Sequence, residues 1–191
     1  MRFLVFLIFL AVSPLSAQVY SPMTGSERAA YYVQDTFRLR SFLLSGPAVA
    51  AMRTWQDRPV EWDRTWEGFG KRYGMRLVNN SVTNGVEGLA GAAWGENPRY
   101  QRLGTGGAGA RFGNAVKRTF VADYEDGKTR FAFARAMGIT TGAFAQNAWM
   151  PDSVATNKAA LNRIGGGYIG RMMGNIFREF GPDLKKIVKR K

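Results

Sequence analysis

The chain has 191 residues, 46% of them apolar, enough for one domain with a buried core and no covalent staples. It carries 27 Lys and Arg against 14 Asp and Glu, a net charge of +13, and has neither cysteine nor histidine. Disulfides, thiolate nucleophiles, histidine triads and the usual zinc and haem sites are thereby excluded, so no cofactor or metal is expected.

Residues 1–17 read as a secretory leader. Arg2 gives a positive start, 3–12 are uninterruptedly apolar, Pro14 breaks the run, and Ser16-Ala17 offers small residues for cleavage. The apolar run is about half of the ~20 residues that a spanning helix needs. The expected mature chain is 18–191, one domain exported to the periplasm or cell envelope and peripheral rather than spanning.

Thr24-Gly25-Ser26-Glu27 is a capping-box pattern. It opens a helix with Val33, Phe37 and Leu44 on its apolar face, running to Ser45, where Gly46-Pro47 interrupts. A shorter helix over 48–55 follows, then a turn around Asp57-Arg58-Pro59. Trp62, Trp66, Phe69, Tyr73 and Leu77 recur at steps of 4, 3, 4 and 4, a helical stripe starting near Asp63. Downstream on that pattern Gly74, Ser81, Gly88 and Gly95 lie seven apart, with Gly85 and Ala92 at the complementary heptad position. Glu87 is the only charge between Leu77 and Gly95; an exposed helix face is its expected place, with a buried polar switch as the alternative.

Beyond Asn97-Pro98, a glycine-rich loop over 104–109 leads into a helical pattern. Asp126-Gly127 reads as a turn, so 124–131 is a loop or a short hairpin. The next helix covers 131–147, with Ala134, Gly138 and Gly142 four apart. The last covers 159–180, with Gly166, Gly170 and Gly174 four apart, and is expected to stop at Gly181-Pro182.

A helical glycine costs ~1 kcal/mol relative to alanine, and small residues four apart offset this by letting two backbones approach closely. The fold expectation is therefore all-α, with five or six helices packed through glycine and alanine seams. The expected helix-packing residues are Gly74, Ser81, Gly85, Gly88, Ala92, Gly166, Gly170 and Gly174.

No motif names a reaction. Residues 104–109 spell G-x-G-x-x-G, but 98–102 do not form a buried strand before it, as a dinucleotide site requires. Glu61, Asp63 and Glu67 cluster, as do Asp123, Glu125 and Asp126. Such a pair could serve a hydrolase, although helix-start acids favoured by the macrodipole account for Asp63 and Glu67. Ser153 and Lys158 are a bare Ser–Lys pair without a supporting signature. The end of the chain concentrates Lys185, Lys186, Lys189, Arg190 and Lys191 among apolar residues, an expected anionic-surface-binding segment. Export makes anionic lipid or envelope polymer the expected partner and disfavours nucleic acid.

The start from Tyr20 to Gly25 (Y-S-P-x-T-G) and the ending from Gly170 to Asp183 (G-x-x-x-G-N-x-x-R-E-F-G-P-D) resemble a family of uncharacterised exported bacterial proteins. The resemblance implies a single real domain and no particular activity. The functional expectation is a non-catalytic envelope protein that associates with an anionic surface or self-assembles through glycine-zipper helices. The alternatives are an exported hydrolase using carboxylates or Ser–Lys, and a membrane-inserting glycine-zipper module. Intact-mass measurement of the native protein should give a chain starting at or near Gln18; an unprocessed Met1 start would refute the leader.

Overall fold

The computed structural model describes residues 23–39 and 41–189, so the leader and the expected mature start lie outside the described residues. Within them are six α-helices and one short hairpin: α1 Gly25–Thr36, α2 Gly46–Trp55, α3 Trp66–Trp94, α4 Ala108–Phe120, β1 Val121–Asp123, β2 Thr129–Phe131, α5 Phe133–Ala145 and α6 Asn157–Lys189. The all-α expectation stands. The strands pair antiparallel, Val121 with Phe131 and Asp123 with Thr129, around a turn in which Gly127 takes φ 75°.

The capping box forms as its residues dictate: the Thr24 hydroxyl accepts from the Glu27 amide at 3.3 Å, and the Thr24 amide donates to Glu27 Oε2 at 3.0 Å. The helix it opens is shorter than expected. It ends at Thr36, whose hydroxyl accepts from Asn84 Nδ2 of α3 at 2.8 Å, and a π-helical turn occupies Ser41–Ser45. Pro47 sits in the first turn of α2, where its missing N–H is harmless. The Thr65 hydroxyl caps α3 by accepting from the Gly68 amide at 3.1 Å, and left-handed Gly95 closes it.

The last helix does not stop at Gly181-Pro182. Pro182 lies inside α6 and cannot supply its turn with an N–H. Side chains from elsewhere hold that turn instead: Arg102 Nε and Arg111 Nη2 donate to the Glu179 carbonyl at 3.0 and 2.6 Å, and Arg111 also bonds Asp183 at 2.6 Å.

α3 packs against α1, α2 and α5, while α6 packs against α4 and α5. The closest seam joins α3 and α5. A Cβ at Gly138 would stand 2.5 Å from the Thr83 carbonyl oxygen and 2.9 Å from Glu87 Cβ, and one at Gly142 would overlap the Thr83 hydroxyl. Of the residues expected at helix seams, Gly88 is closely faced, since a Cβ there would stand 3.0 Å from the Tyr32 ring. Gly74, Gly85, Gly166, Gly170 and Gly174 have open space where a Cβ would stand, so no other part of the described chain lies against them. Ser81 is exposed with its hydroxyl turned back onto the Leu77 carbonyl at 3.0 Å, and Ala92 is exposed. On α6 it is Gly167 that is packed, since a Cβ there would stand 2.8 Å from Ile139 Cγ2.

The interior these seams enclose is small and polar. Its apolar members are mostly alanines, among them Ala50, Ala115, Ala134 and Ala160, whereas Arg72, Glu87, Glu96, Arg135 and Glu179 are all buried. Two substitutions test the seam. Gly138→Ala should lower stability by about 1–3 kcal/mol, because the rigid Thr83 carbonyl cannot retreat. Gly170→Ala should raise the melting midpoint of the monomer, a gain of up to ~1 kcal/mol in helix propensity with nothing to collide with. Thermal melts of the two variants side by side are the check.

Candidate functional site

The sequence expectation for Glu87 is overturned. It is fully buried rather than on an exposed face, between Arg135 of α5 and Arg171 of α6. Arg171 bonds its Oε2, and Arg135 Nε faces its Oε1 at 3.5 Å. A lone buried carboxylate would cost several kcal/mol, so the partners are what allow it inside. Burial alone would lower the pKa of Arg171, but the Glu87 carboxylate, with Tyr31 and Asp35 behind it, raises it. Burial and then Glu87 push the Tyr32 hydroxyl well above the ordinary tyrosine range. The network continues outward. Arg171 lies 3.9 Å from Asp35 of α1, which also takes hydrogen bonds from Arg178 and Arg38, both at 2.9 Å.

Two further buried acids act as internal caps. Glu96 Oε2 accepts from the Ala134 amide at 2.7 Å and from the Tyr124 hydroxyl at 3.0 Å, holding the start of α5 where orphan amides favour a negative charge. Burial and Glu96 together raise Tyr124 to about 12. Glu179 of α6 accepts from the Tyr100 hydroxyl at 2.6 Å, the Leu103 and Gly104 amides at 3.1 and 2.9 Å, and Arg111 Nε at 3.2 Å. The first amide of the G-x-G-x-x-G stretch, with that of Leu103 just before it, thus binds an anion, but it is the protein's own carboxylate. Arg72 does the converse work, donating to the carbonyls of Arg58, Pro59, Trp62 and Asp63 at 2.8–3.1 Å and fastening the turn before α3.

With these charges turned inward, the outer faces are left without them. Between Leu77 and Trp94 the one charge of α3 is Glu87, and the one charge of α5 is Arg135, both buried. On α6 between 159 and 182 the charges are Arg163, Arg171, Arg178 and Glu179, none of them exposed. Outside stand Val78 and Leu89 of α3, Phe133 and Met137 of α5, and Leu161, Ile169, Met173 and Phe177 of α6, all exposed. The open glycines of α3 and α6 lie among them. No helix of the described residues is long and apolar enough to cross a membrane.

The basic tail is only partly visible. Lys186 is exposed at the end of α6, the backbone of Lys185 and Lys189 continues that helix, and Arg190 and Lys191 lie outside the described residues. The carboxylates of the acidic clusters are spread over salt bridges: Glu67 with Lys71, Asp123 with Arg118, Asp126 with Arg130, and Glu125 3.9 Å from Arg28. Ser153 hydrogen-bonds Glu61, whose carboxyl it holds below the usual range. Two clefts of about 380 Å³ are lined respectively by Trp94, Tyr124, Arg130, Phe133 and Met137, and by Tyr31, Arg38, Arg99, Tyr100 and Arg178. Neither lining includes a carboxylate.

No family model, curated protein or solved structure matches this chain, so its site is read from its own chemistry. That chemistry fixes a pH response. Burial would raise the pKa of Glu179, but the donors from Tyr100, Gly104, Arg111 and Leu103 outweigh it and bring the group from 4.5 to about 2. A depressed pKa contributes stability that is present above the unfolded value and lost as pH falls through the folded one. Acid titration of the wild type should therefore show stability falling between pH 4.5 and about 2. Glu179→Gln should be less stable at neutral pH and lack that part of the slope.

Proposed function

We propose that this is a non-catalytic, exported cell-envelope protein that lies on an anionic lipid surface. The observation that carries the reading is the reversed polarity of the bundle: paired charges inside, large apolar side chains outside along α3, α5 and α6. Exposed apolar surface is unfavourable by roughly 25 cal/mol per Å², and a contiguous stretch of it marks a surface that meets something else. The net charge of +13 selects an anionic partner, and each basic residue near such a surface adds ~1 kcal/mol. Association is then interfacial, with side chains such as Phe177 and Met137 at the headgroup boundary. The hydrolase alternative is weaker, because Glu67, Asp123, Glu125 and Asp126 each face a separate basic partner and Ser153 is bonded to Glu61 rather than to Lys158.

A second reading, self-assembly, is favoured by the open groove of Gly166, Gly170 and Gly174 beside Ile169, Met173 and Phe177. A second copy packed there would restore the close approach that small residues permit.

Flotation of the mature protein with phosphatidylglycerol vesicles, with phosphatidylcholine vesicles and without lipid decides between them. The expected result is binding to the anionic vesicles that weakens but persists at high salt, since the charge contribution is screened and the apolar one is not. Monomeric protein that ignores both vesicle types overturns the surface reading. A discrete oligomer in solution that Gly170→Leu dissociates establishes the second reading instead.

A further inference from the structure

The second of the two clefts lies where α1, residues 98–100 and α6 come together, and its wall carries three guanidinium groups, from Arg38, Arg99 and Arg178. Each has five N–H donors. Arg38 and Arg178 place one bond each on the same Asp35 oxygen, at 2.9 Å. Among the described residues Arg99 makes no side-chain hydrogen bond, its guanidinium standing 3.8 Å from half-exposed Glu27. Asp35 is already shared with Arg171, so it cannot neutralise the wall. Among the described residues most of these donors are therefore unspent around one partly exposed hollow.

The two tyrosines are fixed rather than free. The Tyr31 hydroxyl donates to the Pro98 carbonyl at 3.1 Å and the Tyr100 hydroxyl to Glu179 at 2.6 Å, so both rings are held in place as apolar walls. Arginine forks match the oxygens of a phosphoryl group, and several converging on one point give orientation as well as attraction. A volume of about 380 Å³ exceeds what a bare oxyanion fills and falls in the range of small organic ligands, ~300–1,000 Å³.

We propose that this cleft binds a phosphate ester, with its phosphoryl oxygens on Arg99, Arg38 and Arg178 and its organic part between the Tyr31 and Tyr100 rings. The inference goes beyond surface association, since a free ester and a lipid headgroup carry the same group. Arg99 is the residue to change, because its loss breaks no hydrogen bond within the described chain.

Calorimetric titration of the mature protein with glycerol 3-phosphate at fixed low ionic strength, and flotation with phosphatidylglycerol vesicles, are run on wild type, Arg99→Gln and Arg38→Gln. Lys128→Gln is the control: it removes one exposed charge away from the cleft. Melting midpoints confirm that each variant is folded. The expected result is ester binding that Arg99→Gln weakens by about tenfold or more and Arg38→Gln also weakens, while Lys128→Gln stays within about twofold. If glycerol 3-phosphate does not bind but the same pattern holds for vesicles, the ligand is the lipid headgroup and the cleft assignment stands. Ester binding that Lys128→Gln lowers as much as Arg99→Gln overturns it. Vesicle binding that Arg99→Gln leaves intact, with no ester binding, overturns the cleft and spares the surface reading.

Discussion

The bundle depends on one buried carboxylate, Glu87, and on the two arginines that reach it from separate helices. Glu87 belongs to α3, Arg135 to α5 and Arg171 to α6, so one acid joins the three elements that form the middle of the fold. An interior of alanines and glycines buries too little hydrocarbon to fix three helices by itself, and close backbone approach gives no register. A charge that must meet its partners does. Any slide of α6 along α3 would strand Glu87 or Arg171 in a medium where an unpaired ion costs several kcal/mol. Arg135 is held from both sides, since its Nη1 donates to the Arg118 and Thr119 carbonyls at 2.8 and 3.0 Å.

The same logic recurs where the chain is irregular. Segments without helix or sheet leave amides and carbonyls unmatched, and here those groups find charged side chains. Glu96 takes the amides that open α5, Glu179 takes those of the glycine-rich loop, and Arg72 takes four carbonyls of the turn before α3. Arg28 adds another such contact, donating to the Glu96 carbonyl at 2.6 Å and tying α1 to the loop after α3. Bonds to charged groups are roughly twice as strong as neutral ones, which suits them to segments that cannot bond to themselves.

What was legible in the sequence was local. The Thr24–Glu27 capping box, the helical stripe through Trp66 and Tyr73, and the Asp126-Gly127 turn each depend on residues a few positions apart, and each formed. Three features were not legible, because each turned on which distant parts of the chain do or do not come together. Pro182 should end a helix, but Arg102 and Arg111, about seventy residues earlier, hold the turn it weakens. The glycine period of α6 signals a close approach, yet among the described residues nothing packs along Gly166, Gly170 and Gly174. Glu87 was assigned outward by the rule that charges face water, and here that rule runs backwards. A signal existed: Glu87 stands alone in one uncharged stretch and Arg135, of opposite sign, alone in another, which is how a buried pair looks in a sequence.

The outward faces of α3, α5 and α6 carry a consequence for how such a protein varies. In an ordinary domain the apolar residues are the intolerant ones, because they hold the fold, and the charged residues drift. In this bundle the charged residues hold the fold, and side chains such as Leu89, Met137 and Ile169 stand exposed. On the proposed surface reading, folding and association are thus written in different residues. Replacing the outer set with polar side chains would yield a chain that still folds but has lost the proposed attachment, whereas replacing one arginine with its neutral isostere would disrupt the fold itself. A protein built this way can change its outer faces without redesigning its interior.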